Sequence, residues 1–487
     1  MDQPRKARKD AKVFLHFACS AGNRLFCRPP DPRRRNGIRR AGARSLQFLC
    51  FLCLFVAILF SGCAMNQKKH SPTAAEREQF PHWEQVFLDQ LHRQILGFWL
   101  AHGTDRKHGG FVPWLDRAGN PDPKRNDPKS LVQQSRMVWS FSAAHNLDAR
   151  RNYSAEAKRG LEFFEAAFWD KQNGGWFWSV NGDGTPRERQ KHLYGQSFAI
   201  YALAEYGRAF NDRKAVARAL ETFRLIDAKA HDPRGGYREK FTADWQPDEK
   251  STMISPPNTK SMNTHIHLLE SYTALLRVSK DPVVRERLEE LLRLCIERIT
   301  TQEGYSILFF DHDWKPRDGI CSYGHDVELA WLMLEATEVL GRPNDPRVVE
   351  HARALVDHTL QYGYDAERGG IFYEGPYHGA ATDRRKDWWP QAEALVGFLA
   401  IYQQTRDQKY WLAFEQTADW CVKYQADTDP SLRSGGEWFA TVEPDGKPRD
   451  GAKVHPWKAA YHHGRACIEV ASRLKEMQTT GVKTLNR

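Results

Sequence analysis

Polar or aromatic residues interrupt apolar helical stretches at six places where an aliphatic side chain would be ordinary. They are Arg136 in "QQSRMVWSF", Tyr194 in "LYGQSFAIYAL", His267 in "NTHIHLLE", His325 in "GHDVELAWL", the pair Trp388 and Trp389 in "KDWWPQAEA", and His462 in "YHHGRACIEV". A guanidinium, imidazoles and indoles around one cavity suit a neutral polyhydroxy ligand, because aromatic faces stack on sugar rings while the other groups hydrogen-bond hydroxyls. Imidazoles also exchange protons near neutral pH. Taken singly, a helix histidine is more often a satisfied core or surface residue than a catalyst. Three at corresponding positions of a repeat are harder to set aside.

Spacing pairs some of them. His325 and Glu328 are i and i+3 on one helical face, so the carboxylate is expected to fix the imidazole's tautomer and raise its basicity. Asn263 and His267 are i and i+4 and share a face in the same way. His265 lies two residues from His267 and points elsewhere. With no carboxylate-rich or thiolate set beside the histidines, no metal is expected among them.

The elements that would hold these residues form a repeat. A small-plus-aromatic signal recurs at Gly110, Gly175, Gly236, Gly304, Gly370 and Gly436, in steps of 65, 61, 68, 66 and 66 residues. Most copies run on into a short alternating stretch and a polar turn, as in "GGYREKFTADWQP", which reads as a β-hairpin. Between markers lie two stretches of helical period, an apolar one and then one charged on one face, the contrast between a helix inside a ring and its partner outside. A helix before the first marker and an inner-type helix after the last lack sequence neighbours, and pairing them closes a circle. The expected fold is all-α: an (α/α)6 barrel of six helical hairpins, with short β-hairpins at one end. An open helical solenoid is the alternative, but six near-equal repeats with complementary ends favour the ring.

Charge divides the chain. The formal net charge is +10, yet residues 1–62 hold 13 lysines and arginines against three acidic residues, and the remainder has 58 of each. The basic balance belongs to the leader, which removes the argument for nucleic acid as a partner. The fifteen-residue apolar run Leu46–Phe60 is short for a membrane span. It follows a basic segment and precedes Ser61, Gly62 and Cys63, the plan of a secretory signal. Phe-Ser-Gly-Cys resembles the bacterial lipoprotein processing box, with Cys63 as the lipidated residue. This predicts a leader over 1–63, a linker over 64–75, the barrel over 76–477 and a tail over 478–487. The mature protein is then exported and anchored by lipid in the bacterial cell envelope. Cys295, Cys321, Cys421 and Cys467 are scattered, with neither a CxxC pair nor zinc spacing.

The segments "KSMNTHIHLLESYTALLR", "GHDVELAWLMLEA", "DWWPQAEA", "GGEWF" and "WKAAYHHGRACIE" together resemble the motif series of cellobiose 2-epimerases within the N-acylglucosamine 2-epimerase superfamily, over roughly residues 80–475. The resemblance implies that His325 and His462 are an acid/base pair assisted by His267, and that Arg136 holds substrate oxygens. It also implies that Tyr194, Asn263, Glu328, Trp388 and Trp457 surround the sugar, with register alone not choosing between Trp388 and Trp389. The chain departs from the family at His463, where an asparagine usually follows the catalytic histidine. The implied substrate is a disaccharide with a free reducing end. Inversion at C2 needs a base on one face of the open-chain aldehyde and an acid on the other, with a cis-enediolate between them, and two histidines suit that exchange. Arg136 supplies permanent charge for the enediolate oxygen. No cofactor is required, and no GxGxxG follows a strand.

Other readings share parts of this pattern. An N-acyl-hexosamine 2-epimerase or an aldose-ketose isomerase would keep fold and histidines and change the sugar contacts. A glycoside hydrolase on the same barrel needs two carboxylates about the scissile bond; Glu270, Glu328, Glu393 and Glu437 are available, of which only Glu328 falls in the inferred axial set. A non-catalytic sugar-binding lipoprotein needs the aromatics without an acid/base pair.

Overall fold

The computed structural model describes residues 71–485 apart from positions 123, 126, 318, 433, 434 and 450. The leader and Cys63 lie outside these residues. The described residues form one compact unit. Among the described residues no helix is long and apolar enough to cross a membrane.

Six helices make the inner wall: α2 (Leu131–Leu147), α4 (Leu193–Phe210), α6 (Met262–Ser279), α8 (Tyr323–Val339), α10 (Trp388–Thr405) and α12 (Tyr461–Leu485). Each packs on the next, and α12 returns to α2. The outer layer is α1 (Ala74–Asp89), which continues through π turns to Gly103, with α3 (Ser154–Phe168), α5 (Arg213–Ala230), α7 (Pro282–Leu294), α9 (Pro346–Tyr362) and α11 (Gln408–Trp420). The ring is closed: α1 packs against α12, and Trp99 Nε1 donates to Glu437 Oε2 at 2.9 Å across 338 residues of sequence. An (α/α)6 barrel is the fold.

The division into layers follows from the side chains. Every residue of α4 from Leu193 to Gly207 is buried, as expected of a helix packed on all sides, whereas α5 buries only Ala215, Ala219, Thr222, Phe223, Ile226 and Ala230 along one stripe. Four of the six outer helices start on an aspartate N-cap, Asp212, Asp281, Asp345 or Asp407, whose carboxylate accepts from the first-turn amides. The turn before each of these caps is made by a left-handed residue, Asn211, Lys280, Asn344 or Arg406.

The expected hairpins are present but minimal. In the segments that follow the markers they are held by single bridges such as Phe241↔Pro247, Phe310↔Pro316 and Val442↔Pro448. The larger pairing runs between repeats and has no counterpart in the sequence reading. Each two- or three-residue strand just before an inner helix pairs antiparallel with a strand of the following repeat: Lys129–Ser130 with Ser179–Val180, Lys191–His192 with Lys240–Phe241, Lys260–Ser261 with Phe309–Phe310, Ile320–Ser322 with Glu374–Pro376, and Lys386–Asp387 with Thr441–Val442. These strands gather at the N-terminal ends of the inner helices.

Five buried lysines fix that end. Lys129, Lys191, Lys260 and Lys386 reach Asp105, Asp170, Asp232 and Asp365 at 2.7, 2.8, 3.4 and 2.8 Å, and Lys458 reaches Glu437 at 2.8 Å. Five residues after each lysine a side chain grips the marker loop or its glutamate. Gln134, Gln196 and Gln391 bond both backbone groups of Phe111, Trp176 and Ile371. His265 accepts from Tyr237 N, and His463 bonds Glu437. His463, the departure from the family pattern, therefore stands at a scaffold position. The marker glycines allow the close approach: Gly110 has φ +67°, and a Cβ there would strike Gln134 Oε1.

Candidate active site

The lysine register sets which side chains meet on the axis. Seven residues, two helical turns, after the register position stand Arg136, Phe198, His267, Glu328, Glu393 and Arg465, while four residues after it stand His325 and His462. Equivalent positions on six inner helices face a common centre.

Contacts bring the two rows together. Arg136 is buried, donates from Nη2 to Tyr194 Oη at 2.9 Å and from Nη1 to the Trp457 carbonyl at 3.0 Å, and lies over the Phe198 and Tyr461 rings. The Tyr194 ring stands edge-on to His267 at 5.1 Å and 6.3 Å from Trp457, whose indole is 40% exposed at the mouth. The Tyr461 ring lies 4.8 Å from His462. Trp389 stands between the two other histidines, 4.6 Å from the His325 ring and 5.8 Å from the His462 ring. Trp388 lies 6.4 Å from His462 and presents its edge to His455. Asn263 lies one turn before His267, and its buried Oδ1 has no hydrogen-bond partner among the described residues.

Each histidine is held at Nδ1 by a different partner. His267 Nδ1 bonds Glu270 Oε2 at 2.9 Å, His462 Nδ1 bonds Glu393 Oε1 at 2.7 Å, and His325 Nδ1 bonds Ser322 Oγ at 2.7 Å. A ring held at Nδ1 keeps Nε2 for other work. Ser322 is the N-cap of α8, and its side chain makes no cap bond. The expected His325–Glu328 pair does not form. Shared helical face is a necessary condition only, and a cation from another helix outcompetes it: Arg465 Nη2 takes Glu328 Oε1 at 2.7 Å.

Arg465 is the centre of the floor beneath the histidines. Nη2 also donates to Glu393 Oε1 at 2.8 Å, and Nη1 donates to Glu270 Oε1 and to Tyr461 Oη. Burial tends to raise the Glu270 carboxyl, but the Arg465 charge together with the bonds from His267 and Tyr461 outweighs it and holds the group below the usual range. Burial and the adjoining Glu393 push Glu328 up, against Arg465. Burial lowers all three imidazoles: His325 to about 3, His267 by less, and His462 far down with the Arg136 and Arg465 charges adding to it. The resting rings are neutral. Glu328, Glu393 and His462 offer ligand atoms within 4.8 Å of one another, but the guanidinium already lies on both carboxylates.

The N-acylglucosamine 2-epimerase family model matches residues 109–466, a span that holds all ten of the proposed sugar-site residues. The chain belongs to this family. It is an epimerase, and its most similar relatives carry one name. It is 32% identical over 391 residues to cellobiose 2-epimerase of Dictyoglomus turgidum, covering 80% of this chain and 97% of that enzyme. It is 33% identical over 393 residues to the enzyme of the same name from Bacteroides fragilis, covering 80% and 98%. The structure of cellobiose 2-epimerase from Spirochaeta thermophila superimposes with a TM-score of 0.75 at 36% identity, over 83% of this chain and 99% of that one.

In this family member the structure brings together Arg136, Tyr194, His267, His325, Trp388, Trp389, Trp457 and His462. Sequence reasoning passed over Glu270, Glu393, Tyr461 and Arg465 as parts of the same site. Glu393 and Arg465 occupy the same register as Arg136 and His267, so counting from the lysines rather than the glycines exposes them. Glu437, a carboxylate available in principle, belongs instead to the ring closure with Lys458, His463 and Trp99.

Proposed function

We propose that this epimerase inverts C2 of the reducing-end sugar of a β-1,4-linked disaccharide of the cellobiose or mannobiose type, with His325 and His462 as the two proton-transfer groups. The observation that carries the reading is the pair of imidazoles flanking Trp389, each tied at Nδ1 and each neutral, above a floor of carboxylates neutralised by Arg465. On the opened sugar, one neutral ring removes the C2 proton and becomes imidazolium while the electron pair moves into the carbonyl. The cis-enediolate so formed has its oxygen near Arg136, whose fixed charge favours it. The other ring, which first takes up a proton from solvent, returns it on the opposite face, the aldehyde re-forms with C2 inverted, and the first imidazolium gives its proton back to solvent. Glu393 supports the imidazolium at His462, and Glu270 sets the tautomer of His267 at the reacting end. Tyr194, Asn263, Trp388 and Trp457 complete the sugar contacts, and Trp389 is the stacking platform because it touches both histidines.

A hydrolase needs two carboxylates placed about a scissile bond. Here Glu270, Glu328 and Glu393 all bond Arg465, which favours epimerisation. Incubation with cellobiose and mannobiose, followed by chromatographic resolution, should give the 2-epimer of one or both; cleavage to monosaccharides would overturn the reading. Exhaustive chelation should leave turnover unchanged in protein whose circular dichroism is intact. Loss of turnover at unchanged melting temperature, restored by one divalent metal, would count against side-chain acid/base chemistry.

The leader supports an exported lipoprotein anchored at Cys63. Cys63→Ser should release the enzyme from the membrane fraction or leave unprocessed precursor, with activity retained. Normal processing with unchanged membrane attachment would refute lipidation at this residue.

A further inference from the structure

The fourth repeat breaks the lysine rule. Where five repeats place a buried lysine, it has Cys321; where others place a glutamine or histidine five residues on, it has Asp326; and the loop position that holds aspartate in the other five repeats is Thr301, whose amide makes the equivalent bond to Tyr305. The ion pair that ties loop to helix elsewhere is replaced by three donors of another kind. Cys321, Asp326 and His358 of α9 each present one ligand atom, all within 4.8 Å of one another, and all three residues are buried.

We propose that this cluster binds one zinc ion that clamps the start of α8 to the outer helix α9. Each donor is arranged for it. His358 Nε2 bonds the Tyr377 carbonyl at 2.6 Å, which places the proton there and leaves the Nδ1 lone pair facing Cys321, the outer-shell bond that metal-ligating histidines make. Asp326 Oδ1 accepts from Ser306 N at 2.9 Å, while Oδ2 is turned to the Cys321 sulfur at 2.9 Å. Cys321 Sγ and His358 Nδ1 are 4.0 Å apart. These separations bracket the roughly 3.5 Å that two tetrahedral zinc ligands span at ordinary bond lengths. Thiolate, imidazole and carboxylate together select zinc over magnesium or calcium.

A fourth group stands close by. Tyr323 is fully buried, and its Oη has no hydrogen-bond partner among the described residues. It lies against Gly375, the strand partner of Cys321, where any side chain would collide with it. A water would take the fourth position of the tetrahedron. Motif spacing gives no sign of this set, because one ligand comes from a strand, one from a helix five residues later and one from the outer layer.

The test is titration of the chelator-treated full chain with Co²⁺ alone, followed by Zn²⁺ competition. One equivalent of cobalt should give thiolate-to-cobalt charge-transfer absorption with tetrahedral d–d bands, both lost to one equivalent of zinc, and zinc should raise the melting temperature. Cys321→Ser should abolish the thiolate band, and His358→Asn, which removes a ligand outright, should weaken binding by more than the roughly 10–100-fold that loss of an outer-shell partner costs, with circular dichroism confirming the fold. Cobalt binding without a thiolate band would move the site to Glu328, Glu393 and His462 and overturn the proposal. So would no stoichiometric binding by the wild-type chain, an outcome independent of whether either variant folds. Because the readouts are metal content, absorption and melting, they stand apart from epimerase activity.

Discussion

His462→Asn and His325→Asn should each lower epimerisation by about 10²–10⁴-fold, the contribution of a general acid or base, and the two should differ in what they retain. A base on one face can still remove the C2 proton when its counterpart is missing. One variant therefore washes solvent deuterium into C2 of the starting sugar without inverting it, whichever has kept the ring facing that epimer's hydrogen. Run in deuterium oxide, the wild-type enzyme should place deuterium at C2 of the product. Product that retains its C2 hydrogen in full, with neither variant exchanging, would point to hydride chemistry or to reaction at another carbon. The retained fold of the variants can be checked by melting, since Ser322 and Glu393 lose only one bond each.

The parts of this architecture that sequence makes plain are those carried by periodicity. Apolar inner and one-faced outer helices differ because one is packed on all sides and the other on one, and the glycine markers count the repeats. Strands of two residues have no period to detect, so the pairing of Lys260–Ser261 with Phe309–Phe310 follows only from the closed ring that brings consecutive repeats edge to edge. The histidines stood out because imidazoles are unexpected in apolar helices. Their partners did not, because helical spacing reports a shared face and says nothing of a competitor on another helix. Glu328 sits one turn from His325, yet Arg465, 137 residues later in sequence, holds it. The chemistry of the site is local in sequence; its electrostatic balance is not.

That balance makes Arg465 the residue whose loss should cost most in stability. The side chain is about fully buried and is shared by Glu270, Glu328 and Glu393, with Tyr461 against it. Arg465→Met keeps much of the volume and removes the cation, leaving carboxylates buried without a partner. Breaking a buried charge pair in this way costs about 3–5 kcal/mol, a large part of the roughly 5–15 kcal/mol that a folded protein holds in reserve. Arg465→Lys should recover only part of it, since a single ammonium cannot reproduce the planar fork that reaches several carboxylates. Glu270→Gln added to Arg465→Met should restore part of that stability, because it removes a carboxylate that Arg465 helps to keep ionised. The coupling is read from a double-mutant cycle by denaturant or thermal melting. If Arg465→Met melts with the wild-type protein and the second substitution adds nothing, the three carboxylates do not depend on this guanidinium.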